Sequence, residues 1–295
     1  MFMLGACFKV DHLQSAMENM LVKSGTAQLA VSRAVSQAGT GQALAFLHAG
    51  VTDKRSWVPL IEELSKTICR FHSVAYDRRG FGDSIFTEER HSPVGDLIAV
   101  LDACGLSSVV LVGNSQGGRI AIDMTLLYPG RVKALVLVGT SVSGAPEVTS
   151  YPPDVAELKR KIEAAEVAGD LDLLNRLEAH LWLDGPSSME GRVGGAAREL
   201  FLNMNLRAFN ATRVGEVSDN VDAWTNLSKI QVPVLLMVGQ LDLPHVQARS
   251  QRMAETIPKA EFVLTKNVAH LPALEAPQRC AEIIAKFLTR HCLST

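Results

Sequence analysis

Three residues of this chain have the types and the order that acyl transfer needs: Ser115, Asp242 and His270. A serine hydroxyl is a weak nucleophile until a base removes its proton, and the base works best when an acid orients it. Ser115 lies in Val109-Val110-Leu111-Val112-Gly113-Asn114-Ser115-Gln116-Gly117-Gly118, an apolar run leading into a serine between glycines. Gly113 and Gly117 leave room where a Cβ would clash, so the turn can be tight enough to lift the serine clear of a sheet. The next backbone N–H, from Gln116, then points at whatever Ser115 attacks.

A bare Gly-x-Ser-x-Gly is weak, but here its context agrees with it. The residues after it, Arg119 to Leu127, repeat apolar positions at helical spacing until Pro129-Gly130 stops them. Pro233 to Asp242 reads as a second buried strand ending in a carboxylate, and Glu261 to Leu264 as a shorter one followed by a loop with His270. Nucleophile, acid and base thus run Ser115, Asp242, His270, the chain order that accompanies this strand–turn–helix motif. Asp242 as a turn cap and His270 as a packed loop histidine are the plain rivals of these roles.

Stepping outward, the segments around these residues alternate strand and helix from Thr26. Gln28 to Val35 and Ala43 to Leu47 read as strands, Ser56 to Thr67 as a helix, Ser73 to Tyr76 as a strand and Pro93 to Cys104 as a helix. Ala134 to Val138 follows as a further strand. Such alternation with nearly unbroken apolar strands implies an α/β fold, a mostly parallel sheet covered by helices on both faces. Ligands of such sheets sit at the carboxyl ends of the strands.

Between Ser141 and Trp224 no strand is evident. Val155 to Ala168, Leu171 to Leu183 and Ala196 to Phe209 read as amphipathic helices, with Gly169-Asp170 as a turn. The expected organisation is an N-terminal extension over 1–20, a core over 21–140 and 225–295, and an all-helical insertion over 141–224. The extension reads as helical from Asp11 to Met20. Trp182, Phe201, Met204, Phe209 and Trp224 are candidates to line a substrate pocket, with packing inside the insertion or against the body as the alternative for each.

Four stretches resemble the α/β-hydrolase superfamily: Leu47-His48-Ala49-Gly50, Tyr76 to Ser84, Gly113 to Gly118, and Ala269 to Pro277. The likeness covers about residues 25 to 290. The Leu-His-Ala-Gly start with Trp57 after it, and the Ala-His-Leu-Pro ending, are similar to small bacterial carboxylesterases and enol-lactonases. Dehalogenases and epoxide hydrolases of that superfamily carry aspartate where Ser115 stands. The resemblance implies that the helical insertion is a cap over the active site, and that the loop after Leu47 supplies the second oxyanion N–H, from Gly50 or Val51. It implies that His48 orders that loop and that Arg78-Arg79 belongs to a structural turn.

Together these readings predict a serine hydrolase of a small ester or lactone that needs neither metal nor organic cofactor. Gly113-Asn114-Ser115 also resembles carbon–carbon hydrolases of ring-cleavage diketones, although those usually carry a tryptophan soon after the histidine. A perhydrolase side activity, and a ligand receptor that keeps a slow triad, are further readings of the same residues.

Composition agrees with an enzyme. The 295 residues are 47% hydrophobic with a net charge of -2, too balanced for a nucleic-acid footprint. Five cysteines at 7, 69, 104, 280 and 292 lack the paired short spacings of a disulfide framework or a zinc site. No signal peptide or membrane span is read. The expectation is a cytoplasmic monomer or homodimer.

Overall fold

Gln42–Leu47, Val109–Asn114 and Val234–Gly239 are buried at every position, which a sheet achieves only with cover on both faces. The computed structural model, which describes residues 17–35, 41–68, 71–291 and 293, supplies that cover. Its strands are β1 (Glu18–Ser24), β2 (Ala27–Val35), β3 (Gln42–Leu47), β4 (Phe71–Tyr76), β5 (Val109–Asn114), β6 (Val132–Val138), β7 (Val234–Gly239) and β8 (Ala260–Thr265). They form one sheet in the order β1-β2-β4-β3-β5-β6-β7-β8. β1 and β2 pair antiparallel, as do β2 and β4, and every other neighbouring pair is parallel.

The helices are α1 (Val58–Thr67), α2 (Pro93–Ala103), α3 (Gln116–Leu127), α4 (Pro153–Ala168), α5 (Leu171–Ala179), α6 (Gly195–Phe209), α7 (Ala223–Asn226), α8 (Pro244–Thr256), α9 (Pro272–Glu275) and α10 (Pro277–Arg290). Successive strand residues point to opposite faces, and the core divides accordingly. Leu47, Val109 and Leu111 pack with α2, α3 and Met253 of α8. Leu44, Phe46, Val110 and Val112 pack with α1 and α10. Each fully buried Leu or Phe contributes about 1.5–3 kcal/mol, so the two layers fix the strand ends that carry the polar loops.

The N-terminal expectation is corrected at its edge. Residues 11–16 lie outside the described residues, but Glu18 to Met20 belong to strand β1, not to a helix. The cause is pairing: β1 turns back at Gly25 (φ +57°) onto β2, with Glu18 opposite Arg33 and an ion pair between them. Only Val22 of β1 is buried, so no strong apolar pattern announces the strand in sequence. A second difference is small: a 3₁₀ turn at Lys54–Trp57 replaces the first turn of the helix expected from Ser56.

Between β6 and β7 the only described pairing of strand type is an isolated bridge of Val217 to His91. Helices α4 and α5 pack through Val155, Leu158, Leu174 and Leu177 against Val238, Leu243 and Val246. The helix expected to run to Leu183 ends at Ala179, and a π-helical turn, His180–Asp184, follows it. That turn and α6 pack through Leu183, Phe201 and Met204 against Ala49, Leu271 and Leu274. The helical segment therefore rests on the loops after β3, β7 and β8. No helix among the described residues is long and apolar enough to cross a membrane. Cys104 and Cys280 are free thiols; Cys7, Cys69 and Cys292 lie outside the described residues.

Candidate active site

Ser115 sits between β5 and α3 with φ 53° and ψ -116°, a conformation L residues rarely adopt. The glycines around it make this turn possible. A Cβ on Gly113 would lie 2.6 Å from Gly118 Cα, and one on Gly117 would lie 2.1 Å from the Leu47 carbonyl oxygen. The turn is held from the far side, where Ser115 N–H donates to the Val138 carbonyl at 2.9 Å and the Ser141 N–H donates to the Ser115 carbonyl at 3.2 Å. Strain of this kind costs about 1–3 kcal/mol and persists only where such surroundings over-determine it.

His270 and Asp242 meet directly. The His270 Nδ1 lies 2.8 Å from Asp242 Oδ2, and the two side chains are 3% and 1% exposed. The other Asp242 oxygen accepts the Leu243 N–H at 2.7 Å, which fixes the carboxylate plane. With Nδ1–H donating to the carboxylate, Nε2 of a neutral imidazole carries the free lone pair.

Two residues link this pair to the turn that holds the serine. Asn114 donates from Nδ2 to the Val138 carbonyl at 2.8 Å and to the His270 carbonyl at 3.2 Å, tying the residue before Ser115 to both neighbouring elements. Gly139, at φ +48°, lies under the pair: a Cβ there would sit 2.9 Å from Asp242 Oδ2 and 3.0 Å from His270 Nδ1. A glycine immediately after the apolar strand β6 was the sequence signal for this position. The loop bearing His270 also comes close to β7, where a Cβ on Gly239 would lie 2.1 Å from the Ala269 carbonyl oxygen.

The loop after β3 is built around His48, which is wholly buried. Its Nε2 accepts the Arg78 backbone N–H at 3.1 Å, so its Nδ1 carries the proton that goes to the Ala49 carbonyl at 2.7 Å. Burial, and then the charge of Arg78, hold this imidazole well below its usual range. His48 is thus a neutral structural element, as the loop-ordering reading expected.

The adjacent basic pair divides. Arg79 is scaffold, forked onto Asp96 and bonded to Glu89 and the Ser24 carbonyl. Arg78 reaches the neighbouring loops: it donates to Gln116 Oε1 at 3.0 Å and to the Ala49 carbonyl at 3.0 Å, over the face of Phe81. Burial draws its guanidinium down to about 10, which leaves it cationic at neutral pH.

The aromatic and Met candidates separate by environment. Trp182, on the π-helical turn, packs on His270 with ring centroids 4.7 Å apart, and its carbonyl accepts the His270 N–H at 3.2 Å. Phe201 and Met204 are 0% and 1% exposed, so they present no surface to a ligand and serve packing. Phe209 packs against the α4–α5 cluster and Trp224 against the main core, each only partly buried.

Sequence reasoning missed a brace on the far side of His270. Arg192 donates to the Leu183 and Asp184 carbonyls and to Glu275, whose other oxygen accepts the Ala269 N–H at 2.5 Å. Glu275 stands in the quoted Ala269 to Pro277 stretch, but Arg192, 83 positions away, gave no local signal.

The chain belongs to the alpha/beta hydrolase family, whose family model matches residues 44–283. It is 28% identical over 263 residues to the 2-hydroxymuconate semialdehyde hydrolase of Pseudomonas sp. (strain CF600), covering 85% of this chain and 88% of that one. It is also 28% identical over 256 residues to carboxylesterase YbfK of Bacillus subtilis (strain 168), covering 83% and 79%. The crystal structure of the enol-lactonase from Burkholderia xenovorans LB400 superposes with a TM-score of 0.65 at 19% identity, over 92% of this chain and all of that one, a likeness of fold.

Proposed function

We propose that this hydrolase cleaves a small carboxylic ester or lactone through an acyl-enzyme on Ser115. The observation that supports this reading is the buried 2.8 Å contact of His270 with Asp242, with the His270 carbonyl accepting from Asn114, the residue before a serine held in a strained turn. His270 Nε2 takes the Ser115 proton as Oγ attacks the carbonyl carbon, while Asp242 holds the ring and stabilises the imidazolium. The N–H of Gln116 and that of Gly50, with Val51 the alternative, receive the oxyanion; one such donor typically contributes about 3 kcal/mol. His270 then protonates the leaving alcohol and activates the water that releases the acid. The helices between β6 and β7 act as a cap that excludes bulk water and shapes the pocket.

The test is burst release of nitrophenol from nitrophenyl esters of increasing acyl length, with Ser115→Ala beside the wild type. A burst equal to the enzyme concentration and absent from the variant is expected. Release that does not depend on Ser115 would remove the proposal.

Relatives named as 2-hydroxymuconate semialdehyde hydrolases, with 28% and 27% identity, support a second reading: hydrolysis of a carbon–carbon bond in a ring-cleavage diketone. Asn114 is the residue on which it rests. A chain that consumes a dienol diketone faster than any nitrophenyl ester, still through Ser115, would favour it.

A further inference from the structure

Arg78 is in an unusual position for a cation. No carboxylate among the described residues forms an ion pair with it, and its Nε is buried without a hydrogen-bond partner. A guanidinium is costly to bury unpaired, whereas the adjacent Arg79 has Glu89 and Asp96 as partners. Besides lying over Phe81 and near His48 Nδ1, Arg78 donates to two groups that are next to the proposed oxyanion donors. One arm reaches the side chain of Gln116, and the other reaches the carbonyl of Ala49.

The Ala49 carbonyl shares a peptide unit with the Gly50 N–H. A trans peptide is planar, so the direction of its carbonyl sets the direction of its N–H on the opposite side. Three donors converge on that oxygen: His48 Nδ1 at 2.7 Å, Arg78 Nη2 at 3.0 Å and the Thr52 N–H at 3.4 Å. Hydrogen bonds to a carbonyl polarise the peptide and strengthen its N–H as a donor, and a charged donor does so most. On its other arm Arg78 holds the Gln116 side chain across Gly50, where a Cβ would lie 2.7 Å from Gln116 Nε2.

We propose that Arg78 is a positioning residue of the oxyanion hole, which through the Ala49 carbonyl and the Gln116 amide aims and polarises the Gly50 N–H at the charge that develops during acyl transfer. The assignment deepens the serine hydrolase reading and rests on it. It also selects Gly50 over Val51 as the second donor. Lysine cannot replace this arginine, because a single ammonium does not present two arms in a fixed plane. The guanidinium carbon lies over the Phe81 ring, and a lysine or methionine keeps an apolar stem of similar length at this position.

The experiment compares the wild type, Arg78→Met, Arg78→Lys and Ser115→Ala, with 4-nitrophenyl butyrate as substrate and phenylboronic acid as inhibitor. Boronic acids add to a serine hydroxyl as an anionic tetrahedral species, so their affinity reports the oxyanion hole apart from ground-state binding. Titration to completion with a fluorophosphonate counts competent sites, so a folding defect appears as a smaller titre and is divided out.

Arg78→Met is expected to lower kcat per competent site about 10–100-fold, less than loss of a whole donor, with KM within about threefold. Phenylboronic acid should weaken by a similar factor, and Arg78→Lys should recover only a minor part. A kcat within about threefold of wild type, a loss confined to KM, or full recovery by lysine would overturn the role given to Arg78. Wild-type turnover that survives Ser115→Ala would instead overturn the serine reading beneath it, and the Ser115→Ala sample separates the two failures.

Discussion

The indole of Trp182 lies against the imidazole of His270, ring centroids 4.7 Å apart and planes inclined by 45°, while the Trp182 carbonyl accepts the His270 N–H at 3.2 Å. The helical segment and the proposed general base are thus in contact through both side chain and backbone. Asp242 restrains the imidazole on one edge, and Trp182 restrains it on a face.

Replacing that indole should therefore cost activity without unfolding the protein. Aromatic contacts of this kind contribute about 0.5–1.5 kcal/mol beyond area burial, so Trp182→Leu is expected to lower kcat/KM by roughly 2–12-fold. Steady-state kinetics on a nitrophenyl ester checks this. An unchanged kcat/KM would mean that the indole does nothing for the imidazole.

Ser115 offers the opposite exchange, stability gained for activity lost. Its φ of 53° is strained for serine and open to glycine. Part of the gain is offset by the greater unfolded-state freedom of glycine, so Ser115→Gly should stabilise by about 1 kcal/mol, near 2 °C in Tm, and abolish turnover. Calorimetry of the variant gives the answer. A lowered Tm would show that the strain is absorbed elsewhere.

Asp123 should make stability depend on pH. It is 5% exposed, one of its oxygens lacks a hydrogen-bond partner, and burial pushes its carboxyl up to about 6 against the pull of Ser143 and Arg119. A raised native pKa means that the folded state binds more protons than the unfolded one between about pH 4 and 6. The contribution of Asp123 is therefore fully present below about pH 4 and is lost as the pH rises through about 6, up to about 3 kcal/mol. Asp83, drawn down to about 2 by hydrogen bonds from Lys54 and Arg207, acts with the opposite sign, so the useful quantity is a difference. Urea unfolding of the wild type and Asp123→Asn from pH 4 to 8 should show the variant gaining relative stability as pH rises. A difference that does not change with pH would contradict the assignment.

Legibility in the sequence followed the range of each interaction. The turn at Ser115 was readable because its requirements are local: an apolar strand, glycines at 113 and 117, and a helix at once after them. Asp242 and His270 were readable because each follows a strand whose apolar run marks where the chain reaches the sheet's end. Strand β1 was not, since its place is set by pairing with β2 and only Val22 enters the core. Arg78 read as part of a turn because its partners, Ala49 and Gln116, are 29 and 38 positions away. The pocket candidates show the same limit: Trp182 and Phe201 are equally aromatic, and only the packing of the helical segment sets one on His270 and encloses the other.

The brace of Arg192 ties two events to one motion. Its guanidinium holds the Leu183 and Asp184 carbonyls on one side and, through Glu275, the amide next to His270 on the other. Arg192 thus links the turn at 180–184 to the loop that carries His270 through a chain of hydrogen bonds. In the proposed mechanism, lifting the cap would therefore also unseat the base, so admission of solvent and loss of activity would be one event.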